Sequence, residues 1–191
     1  FDSQGRVAFL LGRKPEALQN PPRPAAAAGG GGGEGGGGGA ARPPGAGAEQ
    51  DVFNRPTDVA WDAQGNIFVA DGRGNARVAK FTRDGVFVKS WGQKGTAPGQ
   101  FADVDSVAVD AQGNVYAADG GNARVQVFDN NGTFKTEIKN VGNAQALCIT
   151  PGPNQVMFVS NSNPPTDLDT AGEIYKMRLD GSGLARLTDV P

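Results

Sequence analysis

Beyond residue 52 the apolar side chains gather in short runs, rich in β-branched and aromatic residues and separated by glycine-containing turns. In Ile67-Phe68-Val69-Ala70 the run is apolar on both faces, which predicts a strand covered on both sides. The pattern predicts strands at 59–62, 67–71, 77–81 and 86–91. Ala63-Gln64-Gly65-Asn66 joins the first pair, with Gly65 supplying the positive φ that a tight hairpin turn needs. A second set follows at 107–110, 115–119, 124–128 and 133–139. A more divergent third set follows at 147–150, 156–161, 173–179 and 184–188.

The first two sets are one pattern written twice. Val59-Ala60-Trp61-Asp62-Ala63-Gln64-Gly65-Asn66 returns as Val107-Ala108-Val109-Asp110-Ala111-Gln112-Gly113-Asn114, 48 residues on (107 minus 59). Asn75-Ala76-Arg77-Val78 returns as Asn122-Ala123-Arg124-Val125, 47 residues on (122 minus 75). Such a period signals a repeat architecture. Consecutive four-stranded antiparallel units with both faces buried are satisfied by radial stacking, so the fold class is all-β, a β-propeller of four-stranded antiparallel blades. Blades are expected at 53–100, 101–140 and 141–191. Residues 1–12 lie on residues 81–92 at a constant offset of 80, and read as the outer strand of a preceding blade in a truncated propeller. Residues 13–52 interrupt the pattern with prolines, alanines and glycines 29 to 39, broken only by Glu34. With so few apolar side chains this insertion does not offset the entropy of ordering, and it is expected to be flexible.

Composition removes whole classes of chemistry. Net charge is −2 and no Lys/Arg block is present, which argues against nucleic acid as a partner. There is no histidine, hence no Ser-His or Cys-His arrangement and none of the commonest metal ligand. The single cysteine, Cys148, excludes an internal disulfide framework, and its apolar run predicts a buried small hydrophobe. No apolar run approaches the roughly 20 residues of a membrane-spanning helix. The residues assign no compartment.

Two polar sets, Asp71/Asn75/Arg77 and Asp119/Asn122/Arg124, invite a catalytic reading. Being copied in successive blades, they read better as scaffold. Asp and Asn would brace a turn by side-chain-to-backbone bonds, and Arg would pair with Asp. Asp103/Asp105, and Asp167/Asp169 with Glu173, could offer oxygens to a hard cation such as Ca²⁺, but match no complete calcium loop and read as solvated carboxylates. Trp61 and Trp91 are expected to pack between blades. Loops that follow second strands and loops that precede first strands emerge at one end of a propeller. There the residues that differ between copies are Thr57, Arg73, Asp105, Gln145, Asn161 and Asn163. This end is the expected ligand or partner face, for a protein, a peptide or a small ligand, with the 13–52 insertion as a tether or lid. The open edges of an unclosed ring call for missing blades or self-association.

Val69-Ala70-Asp71 with Asn75-Ala76-Arg77-Val78, and Ala117-Ala118-Asp119 with Asn122-Ala123-Arg124-Val125, resemble NHL repeats. Trp91-Gly92-Gln93-Lys94-Gly95, Pro98-Gly99-Gln100-Phe101 and the Asp71-Gly72 loop resemble the propellers of the peptidyl-α-hydroxyglycine α-amidating lyase group. The resemblance spans 53–140 and is weaker over 141–191. It implies a six-bladed propeller and, in the enzymes, zinc held by histidines beside a tyrosine and arginines. At the matching positions this chain has Asp105 for a zinc histidine, Arg73 for the tyrosine and Gly120 for an arginine. No catalytic residue and no cofactor are therefore assigned, with zinc or calcium expected only if the whole protein is lyase-like. The leading reading is a binding or scaffold module. The alternative is part of an amidating-lyase-like enzyme whose histidines lie outside this chain. Export from the cytoplasm is implied by the resemblance alone.

Overall fold

A computed structural model describes residues 52–162 and 172–187. The expected outer strand at 1–12, the insertion (bar Val52), and Asn163, Asp167 and Asp169 lie outside the described residues. The rest forms three four-stranded antiparallel sheets in sequence order. Blade 1 is β1 (Asp58–Trp61), β2 (Ile67–Asp71), β3 (Arg77–Phe81) and β4 (Phe87–Trp91). Blade 2 is β5 (Ser106–Val109), β6 (Val115–Asp119), β7 (Arg124–Phe128) and β8 (Phe134–Ile138). Blade 3 is β9 (Ala144–Ile149), β10 (Val156–Asn161), β11 (Glu173–Arg178) and β12 (Ala185–Arg186). Five strands coincide with the expected bounds. First strands start earlier than expected, and β9 does so by three residues, from 147 to 144.

The repeated Asp-x-x-Gly-Asn turns explain why each first hairpin forms. Asp62 Oδ1 accepts hydrogen bonds from the Gln64 and Asn66 amides at 3.0 and 2.9 Å, while Gly65 takes φ +83°. Asp110, with Gln112, Asn114 and Gly113, repeats the arrangement. The carboxylate caps these two amides while the backbone closes the rest of the turn, Gly65 N donating to the Asp62 carbonyl and Asp62 N to the Asn66 carbonyl, both at 3.0 Å. The second strands of blades 1 and 2 end in a single helical turn, α1 (Gly72–Asn75) in blade 1 and a 3₁₀ turn (Gly120–Asn122) in blade 2.

The first strands are neighbours, β1 beside β5 and β5 beside β9, so they occupy the inner side of the stack. A hydroxyl relay joins them. Ser106 Oγ donates to Asp58 Oδ2 at 2.5 Å and accepts the Leu147 amide at 3.0 Å, linking all three blades. Between blades 1 and 2, Phe68, Ala70, Val78 and Trp91 meet Phe101, Val107, Val115 and Phe128. Between blades 2 and 3, Tyr116, Val125 and Ile138 meet Met157, Val159 and Met177. At Gly72 the blades approach so closely that a Cβ would stand 1.9 Å from the Val104 carbonyl oxygen, which only glycine permits.

Two sequence expectations need correction. Trp91 packs between blades as expected, but Trp61 is 69% exposed on the outer face of blade 1. Cys148 is exposed, because Leu147 and Ile149 take the face of β9 that packs on blade 2 and the alternate residue points away. In both cases the strand is right, and no further blade covers that side among the described residues.

Candidate functional site

The copied polar sets form a lock inside each blade. Asp71, fully buried, accepts hydrogen bonds from the Asn54 amide (2.7 Å), Asn75 Nδ2 (2.6 Å) and Arg77 Nε (2.9 Å). Asn75 and Arg77 in turn donate to the Val52 carbonyl. Asp119 repeats this with the Ala102 amide (2.8 Å), Asn122 Nδ2 (2.9 Å) and Arg124 Nε (2.9 Å), and adds Gln126 Nε2 (3.1 Å). Arg124 reaches the Ala97 and Gln100 carbonyls and Glu137. Each lock therefore ties the chain entering a blade to its second and third strands, which is scaffold work.

Blade 3 carries a reversed version that the sequence reading missed. Asn161 stands where Asp71 and Asp119 stand. Its Oδ1 accepts the Asn143 amide at 2.8 Å and its Nδ2 donates to Glu173 at 3.0 Å. Glu173 occupies the place of Arg77 and Arg124 on the neighbouring strand, and Arg186 on β12 supplies the guanidinium. Asn161 aligns in sequence with the two aspartates, but that Glu173 faces it emerges only from the ladder register.

Of the residues expected on the ligand face, the structure brings together Arg73, Asp105 and Gln145. Arg73 rides on α1, Asp105 precedes β5, and Gln145 lies within β9 rather than before it. Arg73 Nη2 stands 3.4 Å from Asp105 Oδ1, and Gln145 Nε2 donates to Asp105 Oδ2 at 3.2 Å and to Asn143 Oδ1 at 2.8 Å. Three blades thus each contribute a side chain to one cluster. Asn143 was not anticipated. Thr57 is engaged elsewhere, donating to the Val104 carbonyl at 2.5 Å across the contact between blades 1 and 2. Asp103 pairs with Lys94 at 3.5 Å. Gly120 makes the room: a Cβ there would stand 2.4 Å from Asn143 Oδ1 and 2.9 Å from Asp105 Oδ2.

Asp105 is electrostatically unusual. Its side chain is only 6% exposed, whereas that of Arg73 is 56% exposed. Burial pushes its carboxyl above the ordinary aspartate range, Arg73 pulls it back, and the nearby Asp103 and Asp119 push it up again. Its two side-chain hydrogen bonds are long. A buried carboxylate so loosely held has capacity left for a proton or a cationic donor. The donor set does not fit a histidine-held zinc. The chain has no histidine, Arg73 already faces Asp105, and the described residues include no group of three His, Cys, Asp or Glu placed to hold a metal. A hollow of about 500 Å³, lined by Gln112, Gln155, Arg178 and Asp180, lies at the opposite, hairpin-turn end of blades 2 and 3.

The pattern that defines the NHL repeat matches residues 53–81 and 101–128, the first three strands of blades 1 and 2. The chain carries NHL repeats. The chain is 35% identical over 126 residues to peptidyl-glycine alpha-amidating monooxygenase A of Xenopus laevis, covering 62% of this chain and 14% of that protein. It is 33% identical over 145 residues to peptidyl-alpha-hydroxyglycine alpha-amidating lyase 1 of Drosophila melanogaster, covering 69% of this chain and 26% of that one. The chain therefore spans 14% and 26% of the length of these relatives. Among solved structures, hydrazine synthase of Kuenenia stuttgartiensis superposes with a TM-score of 0.54 at 15% identity, over 71% of this chain and 36% of that one. That likeness concerns the fold alone. The NHL match skips 141–191, where the reversed lock of blade 3 departs from the repeat.

Proposed function

We propose that this NHL module is a binding or scaffold unit without lyase activity of its own, taking a protein, peptide or small ligand on the face that carries Arg73, Asp105 and Gln145. The observation that supports this reading is the cluster itself. Asp105, nearly buried and loosely bonded, stands between an exposed guanidinium and a carboxamide from two other blades. A residue placed for stability would be satisfied as Asp119 is. The chain lacks every histidine through which a zinc-dependent lyase would work. A second reading, part of an amidating-lyase-like enzyme completed by other segments, is favoured by the identity to the Xenopus and Drosophila proteins.

The two readings separate on the full-length protein, where only the second expects stoichiometric zinc and turnover of peptidyl-α-hydroxyglycine; the binding reading and its site are tested on this chain. The purified chain, supplied with zinc, is expected to turn over no peptidyl-α-hydroxyglycine. It is expected to retain members of a random peptide library that Arg73→Ala and Asp105→Ala each release at least tenfold faster. Turnover by this chain contradicts the binding reading, and equal retention by both variants contradicts the site.

A further inference from the structure

The outer hairpin turns of the three blades share one backbone and differ in what their side chains do. Each has a glycine at positive φ, namely Gly85, Gly132 and Gly181, whose amide donates to the carbonyl three residues back. The residue that opens the turn is Thr82, Asp129 or Arg178, and the one before the glycine is Asp84, Asn131 or Asp180. In blade 3 the Arg178 side chain offers no acceptor, and Asp180 Oδ1 takes the Ser182 amide at 2.8 Å. In blade 2 the opening residue does that work. Asp129 Oδ1 accepts the Asn131 and Thr133 amides, both at 2.8 Å, so the turn makes no demand on the Asn131 side chain.

The adjacent asparagine shows the contrast. Asn130 Nδ2 donates to Asp62 Oδ2 at 3.0 Å and to the Gly113 carbonyl at 3.2 Å, and its Oδ1 accepts from Lys80. Asn131 is exposed, and its carboxamide has no partner among the described residues. Blade 2 is flanked by blade 1 on one side and blade 3 on the other, so this exposure does not depend on where the chain begins or ends. Asn131-Gly132-Thr133 is also the one place in the 191 residues where Asn stands two before Ser or Thr with no proline between. That spacing, in a surface turn, is the acceptor signal for N-linked glycosylation. Blade 1 has Asp84 and Val86 at these places and blade 3 has Asp180 and Ser182, so blade 2 alone carries it.

We propose that Asn131 is the acceptor for an N-linked glycan. The donor is an oligosaccharide carried on a polyprenyl diphosphate. A bond forms between Asn131 Nδ2 and the anomeric carbon of the first sugar, as the bond from that carbon to the diphosphate oxygen breaks. The diphosphate leaves with the electron pair, the amide gives up one proton, and nothing is oxidised or reduced. Losing an Nδ2 hydrogen costs the fold nothing at Asn131, whereas at Asn130 it would break a bond that joins blades 1 and 2. The turn between β7 and β8 lies at the end of the stack opposite Arg73 and Asp105, so a glycan there leaves the ligand face open. Transfer takes place on the non-cytoplasmic side of a membrane, so an occupied Asn131 also marks the chain as exported.

The full 191-residue chain, expressed behind a cleavable secretion leader in eukaryotic cells, is recovered from the medium and from the lumenal fraction. Its mass is expected to exceed that of the polypeptide by one glycan and to fall back on treatment with peptide-N-glycosidase. Carried out in heavy-oxygen water, that treatment should convert Asn131 to a labelled aspartate, which separates glycan removal from earlier spontaneous deamidation at Asn131-Gly132. Asn131→Gln and Thr133→Ala are each expected to abolish the excess mass, while Thr133→Ser keeps it. An unmodified Asn131 in the wild-type chain, or a glycan that survives either of the first two variants, would overturn the proposal.

Discussion

Replacing Asp119 with alanine is expected to cost the fold about 3–5 kcal/mol, the range for removing one partner of a buried ion pair. The reason is what stays behind. Arg124, with a side chain 6% exposed, loses its buried carboxylate partner and keeps the half-buried Glu137 and the Ala97 and Gln100 carbonyls, while the Ala102 amide, Asn122 and Gln126 each lose an acceptor. Asp119→Asn keeps the shape and part of the bonding and should cost less. Urea denaturation followed by tryptophan fluorescence measures both. A loss below about 1 kcal/mol for Asp119→Ala would place the lock among ordinary surface pairs.

Phe128→Ala is expected to be comparably severe, at about 3–5 kcal/mol for a truncated core aromatic. Phe128 is fully buried where blades 1 and 2 meet, with Trp91, Phe101 and Phe134 rings at centroid distances of 5.9, 5.8 and 5.9 Å. Two of these neighbours belong to its own blade and Trp91 to blade 1, so the cavity opens within the interface between them. The same urea titration reads the effect, and Trp91 emission should shift to the red as water reaches the interface.

The architecture was legible because its determinants are local and written twice. Alternation of apolar residues fixes strands, Asp62 and Asp110 fix the hairpins, and the 48-residue offset fixes the stack. The pairing of Asp71 with Asn75 and Arg77, and of Asp119 with Asn122 and Arg124, was legible for the same reason. What escaped the sequence depends on what stands opposite. Trp61 and Cys148 are exposed because no blade stands beside them among the described residues, which no local pattern encodes. The exchange of Arg77 and Arg124 for Glu173, with Arg186 compensating from the next strand, needs the ladder register to be seen. Thr57 fell to a blade contact for a similar reason: its partner, the Val104 carbonyl, is a backbone group 47 residues away.

We propose that residues copied between blades hold the fold while Asp105, which differs between copies, serves the ligand face. The charge on Asp105 opposes folding, because the folded carboxyl holds its proton to higher pH than the unfolded one. That penalty is present at neutral pH and lifts as pH falls toward the ordinary aspartate range. The exposed Arg73, at 3.4 Å, offers little in return. The thermal midpoint of Asp105→Asn at neutral pH tests this most directly. The account predicts a midpoint equal to or above that of the wild-type chain, with the advantage shrinking as pH is lowered. A midpoint several degrees below wild type, alongside that of Asp119→Asn, would make Asp105 another part of the scaffold.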